Sequence, residues 1–463
     1  MSRRWLRVPA LWIFAPVFSA LLCAAVVGLP LFQDGSSYLF ELLVTGSAIR
    51  HHRLSALLVQ LPARVVGDVL ARAPIDAMHR LLWVRMAFAL SYAMVPPAAL
   101  ALSWLVVRRR NPGLFVWAAL IILFVNLVNF SWVSELWIAI QLCCPLLLAS
   151  IVAPGTRSHW LSAIVLLPII LLLHPLIAPV LFVVAVGTAL IGRRDAERRG
   201  AARASAALYL AAALLRALVS AFILDAHEAG FLEIGEMSEY LFVASWQNVV
   251  FLLSAVAIGL ACWRGRALAT TRRGVARLYI ACMVLAPSAA ALLLSQYVLG
   301  VRGVPLKIGL ALFATMLLML LAASDAVTPP SDAERVQRLH LAAVLASVFA
   351  AVLVGKSLMW RTALERLSQT LSASGRACLE RRPDEFAWLR DAPYRIIDNW
   401  ALPSLALVTR DRHPGTLLLE PGDCLRLEDT GMVRVDPWTV LPAQTIAPAF
   451  GRVTGPPRSA GLP

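Results

Sequence analysis

A single carboxylate stands at the end of the first membrane-length apolar run of the chain. Asp34 follows "GLPLFQ" and precedes "GSSYLFELL", in which Glu41 lies seven residues further on. Seven residues are two turns of helix, so the two side chains would share one face. A carboxylate in this position could act as a general base that takes a proton from an acceptor hydroxyl. The same Asp could instead cap the helix that follows it, and Glu41 could be a solvated residue.

Side chains that suit a phosphate group are predicted at the same membrane face. Arginine presents a planar fork of donors that matches phosphate oxygens, and histidine titrates near neutral pH. Side chains at this level are also commonly solvated or snorkel along apolar surface, so both interpretations stay open. The substrate- or phosphate-binding candidates are Arg50, His51, His52, Arg53, Arg85, Arg302 and Lys307.

Two further ionisable residues lie at predicted external turns between apolar runs. Glu135 occurs in "NFSWVSELW" and His174 in "LLLLHPLIAP". An ionisable group in so apolar a context is a functional hypothesis by default, so both join Glu41 as candidate substrate-binding residues. The alternatives are that Glu135 marks the membrane edge beside an aromatic belt and that His174 is solvated at a shallow turn. No regular ligand spacing in the sequence indicates a metal site.

The composition indicates the class of protein. Of 463 residues, 60% are hydrophobic and only 15% are charged, which is more apolar surface than a soluble core can bury. Apolar runs of about 20 residues recur along the chain, as they do in helical membrane proteins. The net charge of +15 comes from basic residues at the ends of these runs, so it indicates topology rather than nucleic-acid binding. The sequence therefore predicts an all-α polytopic membrane protein.

The apolar runs predict about eleven transmembrane helices within residues 1–356. Their ranges are 9–32, 82–107, 114–130, 136–154, 160–174, 176–192, 204–224, 248–263, 277–298, 306–324 and 339–356. Arg-rich connections alternate with acidic or neutral ones, and the positive-inside rule makes the Arg-rich set cytoplasmic. The N-terminus is then cytoplasmic and residues 357–463 are external. Because the bias to Arg and Ala is typical of GC-rich bacterial genomes, the predicted location is a bacterial inner membrane.

Two segments outside the predicted spans have structure of their own. The first external loop, 33–81, has apolar positions at helical spacing and predicts amphipathic helices in the membrane interface. The tail, 357–463, predicts one or two helices, a small β-rich part and a disordered end, which together make a small α+β extramembrane domain. The predicted strands of the tail are 404–408 ("SLALV"), 416–420 ("TLLLE"), 424–428 ("CLRLE") and 432–436 ("MVRVD").

Two of the seven cysteines, Cys378 and Cys424, lie outside the apolar runs. The predicted topology places both in an external, oxidising compartment, where disulfides form and persist. We therefore predict a disulfide between them. It would join the helical part of the tail, which contains Cys378, to the predicted strand that begins at Cys424.

This arrangement resembles the GT-C superfamily of membrane glycosyltransferases. Its members have many spans, an acid just after the first span, interfacial helices in the first external loop and often an extramembrane domain at the end. The resemblance implies an enzyme that moves a sugar from a polyprenyl-phosphate donor to a cell-envelope acceptor at the external face, with Asp34 as the catalytic base. Its partners would be the lipid-linked sugar donor and membrane lipid. Many members carry a paired acidic motif where "QDGS" has a single Asp, so a divalent metal ion is left open as a cofactor.

Two functions of other classes stay open beside this one. The chain could be a transporter or exporter, although no half-to-half symmetry and no matching pair of interrupted spans is seen in the sequence. It could also be a non-catalytic envelope-assembly protein, in which the tail would be the module that binds a partner.

Overall fold

The computed structural model describes most of the chain outside one long central segment. The described ranges are 7–32, 34–46, 55–109, 111–129, 135–152, 154–174, 177–192, 199–223, 331–391, 401–413, 415–436 and 439–450. The predicted spans 248–263, 277–298 and 306–324 lie outside the described residues.

The described residues are mainly helical, and the eight other predicted spans each coincide with helix. In chain order the first ten helices are α1 (Arg7–Val27), α2 (Asp34–Thr45), α3 (Ser55–Ala71), α4 (Ala77–Ala93), α5 (Val95–Val107), α6 (Phe115–Asn129), α7 (Glu135–Val152), α8 (Arg157–Leu173), α9 (Ile177–Gly192) and α10 (Arg199–Ile223). The later helices are α11 (Asp332–Ala373), α12 (Leu402–Val408), α13 (Asp423–Thr430) and α14 (Ala443–Phe450).

By length and composition, four helical segments are able to cross a membrane: Ala77–Val107, Glu135–Val152, Arg199–Val219 and Ala333–Ala373. Shorter apolar helices cover Leu11–Val27, Pro112–Leu123 and Arg157–Leu173. These helices support the assignment of the chain as a membrane protein, whereas the number of eleven spans stays a prediction.

The predicted span 82–107 consists of two consecutive helices. α4 ends near Met94, and α5 begins with Val95 followed by Pro96 and Pro97. Proline lacks an amide hydrogen and is tolerated in the first turn of a helix, where that hydrogen would have no intrahelical acceptor. The two prolines therefore account for the junction.

α1 packs along α11, so the first described helix of the chain and the long helix that leads into the tail are neighbours. Near the end of α1, Phe32 meets Trp360 of α11 with ring centroids 5.9 Å apart. Near the start of α11, the Arg338 guanidinium lies 5.2 Å from the Trp117 ring centroid on α6. The first contact joins segments predicted to be external and the second joins segments predicted to be cytoplasmic, and the orientation of the chain in a membrane stays a prediction.

α11 has 42 residues, which corresponds to a length of about 63 Å. It begins with a capping box, in which Ser331 Oγ accepts from the Glu334 amide and the Ser331 amide donates to Glu334. It contains the predicted span 339–356 and continues to Ala373 without a break. The predicted boundary between membrane part and tail, at 356/357, thus falls inside one continuous helix.

The tail carries two small sheets. β1 (Cys378–Glu380) pairs in parallel with β2 (Leu417–Leu419), and β3 (Met432–Asp436) pairs antiparallel with β4 (Thr439–Pro442). β2 and β3 lie where strands were predicted. The sheets and the three short helices α12, α13 and α14 together form the α+β part of the tail.

Two of the four predicted strands are wrong, since 404–408 lies in α12 and 424–428 lies in α13. A short apolar run such as "SLALV" fits a buried helix as well as a strand, and Pro403 in the first turn favours the helix. In "CLRLE" the alternation of leucines resembled a strand. Left-handed Gly422 and Gly431 instead bracket a two-turn helix that buries Leu427 and exposes Leu425.

The predicted disulfide between Cys378 and Cys424 is present, with the two Cα atoms 5.9 Å apart. The elements that it joins are the reverse of those expected. Cys378 opens strand β1, because α11 has already ended at Ala373, and Cys424 lies in helix α13. The bond closes a separation of 46 residues and on loop-closure grounds should contribute about 2–4 kcal/mol to the stability of the tail.

Candidate functional site

Asp34 is the first residue of α2, directly after the end of α1 and the short turn Leu29–Leu31. Its carboxylate therefore lies in the first turn, where a negative charge is favourable for the helix. Asp34, Tyr38 and Glu41 are half-buried and recur at helical spacing, so they share one face of α2 as the sequence predicted. This partly exposed acidic face is the candidate substrate-binding surface.

The opposite face of α2 is buried against the tail. Ser36 Oγ and Ser404 Oγ of α12 are 3.2 Å apart. Phe40 stacks on Phe450 of α14, with ring centroids 5.6 Å apart and an interplanar angle of 10°. The tail therefore packs on the face of α2 that is opposite to Asp34 and Glu41. This packing sets the direction in which the acidic face points.

α4 is the second element that holds the tail. It begins at the N-cap Asp76, whose carboxylate accepts from the amides of Met78 and His79 and whose pKa is lowered chiefly by the bond from the His79 amide. Two arginines of α4, Arg80 and Arg85, then donate hydrogen bonds to the tail. Arg80 Nη2 donates to the carbonyl oxygen of Pro448 at 2.8 Å.

Arg85 makes the strongest of these contacts. Its Nη2 donates to Asp411 Oδ2 at 2.9 Å, its Nη1 donates to Asp411 Oδ1, and Nη1 also lies 2.9 Å from the Val408 carbonyl oxygen. The residue is 4% exposed, and a buried bidentate pair of this kind is both strong and specific in geometry. Arg85 was predicted to bind phosphate, but the described contacts favour a positioning role for it, because its two terminal nitrogens donate to acceptors of the tail. We call the contacts of Arg85 with Val408 and Asp411 the tail junction.

The segment 409–413, "TRDRH", surrounds this ion pair with further basic groups. It forms a turn of 3-10 helix over Arg410–Arg412. Burial lowers the pKa of the Arg410 guanidinium. His413 is 1% exposed and its Nε2 is 3.5 Å from Thr409 Oγ1. Burial, in the first place, lowers the pKa of His413 to about 4.

Glu135 and His174 lie on other elements. Glu135 is the first residue of α7 and is buried, and His174 follows the last residue of α8 in extended conformation and is half-buried. Six residues further along α7, Gln141 Nε2 is 3.4 Å from Asn126 Oδ1 of α6. Within the described part of the chain, α2 packs chiefly on α3, α12 and α14, whereas α7 packs on α5, α6, α8 and α9. The described packing therefore does not gather Glu135 and His174 around Asp34.

The remaining candidates are Arg50, His51, His52, Arg53, Arg302 and Lys307, and all six lie outside the described residues. The described ranges contain no group of three or more His, Cys, Asp or Glu residues that could hold a metal ion.

Sequence reasoning missed a buried polar network between α7, α8 and α10. The Tyr209 hydroxyl lies between Ser150 Oγ and His159 Nε2, 3.1 Å from the latter, and Ser150 Oγ is 3.3 Å from the same nitrogen. Ser150 Oγ donates to the Leu146 carbonyl oxygen at 2.9 Å, and the Gly155 amide donates to His159 Nδ1 at 3.3 Å. Because Nδ1 accepts the hydrogen bond from the Gly155 amide, Nδ1 carries no proton. The ring proton is then on Nε2, and His159 is neutral in this arrangement. We call these three side chains the Ser150–His159–Tyr209 network.

Gly155 is required by this network for two reasons. Its φ of +73° is left-handed, and a Cβ added there would lie 2.6 Å from the Cβ of Ala201 on α10. The close approach brings the turn before α8 against α10 and aims the Gly155 amide at His159. The signal in the sequence was only a polar residue on each of three apolar helices, which does not reveal that they meet.

Comparison with known proteins adds nothing to this geometry, since no family model, no curated protein and no solved structure matches the chain.

Proposed function

We propose that the chain is an integral membrane glycosyltransferase of GT-C type. It would move a sugar from a polyprenyl-phosphate donor to a cell-envelope acceptor at the external face of a bacterial inner membrane. In this proposal the chain has eleven spans, a cytoplasmic N-terminus and a periplasmic tail. The observation that carries it is the position of Asp34. This carboxylate opens a helix directly after the first membrane helix, on a half-buried face that it shares with Glu41.

The chemistry assigned to Asp34 is general-base catalysis. As the acceptor oxygen bonds to the anomeric carbon, the carboxylate takes the proton of the acceptor hydroxyl. The bond from that carbon to the phosphate oxygen breaks, and the sugar passes through an oxocarbenium-like state, as it does in glycoside hydrolysis. The lipid phosphate leaves with the bonding electrons. Cations at the same level would stabilise it, and Arg50, His51, His52, Arg53, Arg302 and Lys307 stay candidates for this role.

The packing of the tail supports this assignment. α12 and α14 cover the rear face of α2, and the Ser36–Ser404 and Phe40–Phe450 contacts hold that face. A catalytic carboxylate needs a fixed position, and groups held by a supporting layer of packed side chains are the ones kept within a fraction of an ångström. The tail would then be part of the catalytic unit rather than a separate binding module.

The test is the substitution Asp34→Asn in a strain that lacks the chromosomal copy. The readout is the sugar composition of isolated envelope polymers, together with transfer of labelled sugar in membrane vesicles. Loss of a general base typically costs a factor of about 10²–10⁴ in rate, so we expect transfer to fall at least a hundredfold. Asparagine suits a helix start as well as aspartate does, so the protein should still accumulate and unfold at an unchanged temperature.

Asp68→Asn is the matched control, because it removes the same charge from the exposed face of the neighbouring helix α3, where Asp68 Oδ2 lies 3.8 Å from Arg64 Nε. This variant should transfer sugar as the wild type does. Full transfer by Asp34→Asn would remove Asp34 from the mechanism. Unchanged envelope sugars in the strain without the protein would reject the transferase itself and would favour transport or assembly.

A further inference from the structure

Arg412 directly follows Asp411, which pairs with Arg85. It also interacts electrostatically with a second ion pair on α11, in which Arg361 Nε lies 2.7 Å from Glu365 Oε1. The main chain of Arg412 is held against α11, because Ser368 Oγ donates to its carbonyl oxygen at 2.7 Å. The main chain of Arg412 is therefore fixed by a contact that does not involve its guanidinium group, and among the described residues that group makes no hydrogen bond.

The electrostatic surroundings of the Arg412 guanidinium favour the binding of an anion. Burial lowers the pKa of Arg412, and the positive charges of Arg85 and Arg361 lower it further, against the opposing effect of Asp411 and Glu365. Each of those two carboxylates already has an arginine partner. In the described part of the chain, no carboxylate lies within ion-pair distance of the Arg412 side chain. A cation in this setting is stabilised most by a further negative group.

The cluster lies beside the predicted external ends of two spans, 82–107 and 339–356. On α11, Leu358 and Met359 are the last large apolar side chains that are exposed, and Arg361 and Glu365 follow within about 9 Å along the axis. On α4, Arg85 lies close to the start of the predicted span 82–107. The polar headgroup region is about 5–8 Å thick on each side of the hydrocarbon core, so we expect the cluster to lie near the depth of the lipid phosphates.

We propose that Arg412, flanked by Arg85 and Arg361, binds the phosphate group of an anionic ligand, which at this depth is a membrane lipid headgroup. A guanidinium fork suits the oxygens of a phosphodiester, and the two neighbouring arginines add attraction without giving up their carboxylate partners. This site requires only that the protein lies in a membrane. It does not depend on the proposed sugar transfer, and Asp34 takes no part in it.

The experiment measures thermal unfolding of the full-length protein in a neutral detergent while lipid is added. Phosphatidylglycerol and phosphatidylcholine with identical acyl chains are compared, and sodium phosphate at matched ionic strength is a third arm. We expect phosphatidylglycerol to raise the midpoint of the wild type and Arg412→Gln to need about tenfold more of it, since a charge-assisted pair is worth about one such factor. Arg412→Lys keeps the charge but loses the fork, so it should fall between the two.

Arg366→Gln is the matched control, because it removes an exposed charge from α11 at the same level without touching the cluster. It should respond to phosphatidylglycerol as the wild type does. Protection that depends on Arg412 in the lipid arm assigns the ligand to a headgroup, and the same dependence with sodium phosphate alone assigns it to a soluble phosphate. The site is rejected if Arg412→Gln matches the wild type in both arms, or if Arg366→Gln loses as much as Arg412→Gln.

Discussion

The tail junction and the Ser150–His159–Tyr209 network both bury polar side chains, but they satisfy them in different ways. At the junction two full charges, on Arg85 and Asp411, face each other across a sequence separation of 326 residues. In the network three neutral side chains share hydrogen bonds within 59 residues. A buried charge depends strongly on its partner, whereas a neutral group that loses one hydrogen bond can turn to another. The two regions should therefore respond very differently to the loss of a single atom group.

The largest effect is expected at the junction, for Asp411→Ala. This change leaves the Arg85 guanidinium buried without its counter-charge, which typically costs about 3–5 kcal/mol. Reversible unfolding of the purified protein in detergent would measure the loss, and limited proteolysis should cut the tail faster. The comparison is sharpest with the double variant Arg85→Met, Asp411→Leu, which replaces the pair by apolar side chains.

The double variant should be more stable than Asp411→Ala alone, because it removes the uncompensated charge together with the pair. If the two variants unfold alike, the cost comes from lost packing and the distinction between charged and neutral regions fails. Full stability of Asp411→Ala would mean that the junction does not hold the tail.

The second prediction concerns the pH dependence of stability, which we expect from His413, two residues after Asp411 of the tail junction. The pKa of His413 is about 4 in the fold and near 6.5 in the unfolded chain, so the fold keeps this ring neutral. The stabilisation is complete above pH 6.5 and is lost as the pH falls towards 4, by up to about 1.4 kcal/mol for each pH unit. The charged groups that act on the ring are Arg410, which disfavours the protonated form, and Asp411, which favours it.

The measurement is the free energy of unfolding between pH 7 and pH 4 for the wild type and for His413→Gln. Because carboxylates titrate in both proteins, the difference between the two curves isolates the histidine. We expect the wild type to lose stability more steeply than the variant over this window. Parallel curves would show that His413 titrates normally in the fold.

How much of the fold was predictable depended on the range of the interactions involved. The helices that coincide with 82–107, 136–154 and 339–356 follow from apolar composition alone, which is a local property. The segments 404–408 and 424–428 are helical although the sequence predicts strands there, because five residues are too few to distinguish the helical from the strand period, whether the segment is an apolar run or an alternating one. The bond between Cys378 and Cys424 was predicted from count and compartment, although the elements on either side of it were exchanged.

The candidate site shows the same limit. The seven-residue spacing of Asp34 and Glu41 predicted their common face, because both lie on one helix. The partner of Arg85 was not predictable, since nothing in "TRDRH" indicates that Asp411 meets a residue of the second span. Ser150, His159 and Tyr209 likewise occur on three separate helices, and only the packing of α7, α8 and α10 brings their polar atoms together.

The smallest effect is expected in the network, for Tyr209→Phe. This change removes one hydroxyl that lies between Ser150 Oγ and His159 Nε2 and keeps the ring that fills the core. Ser150 retains the Leu146 carbonyl oxygen, and His159 Nε2 retains Ser150 Oγ at 3.3 Å. Since each remaining polar group keeps a partner, the loss should be close to that of one net hydrogen bond, about 0.5–1.5 kcal/mol.

Unfolding in detergent measures this loss of stability. Gly155→Ala serves as the contrasting variant, because its Cβ would lie 2.6 Å from the Cβ of Ala201 and would separate α10 from the network. We expect Gly155→Ala to cost clearly more than Tyr209→Phe. A loss for Tyr209→Phe as large as that for Asp411→Ala would mean that the neutral network is as dependent on each partner as the charged pair, which is the opposite of the difference argued for these two regions.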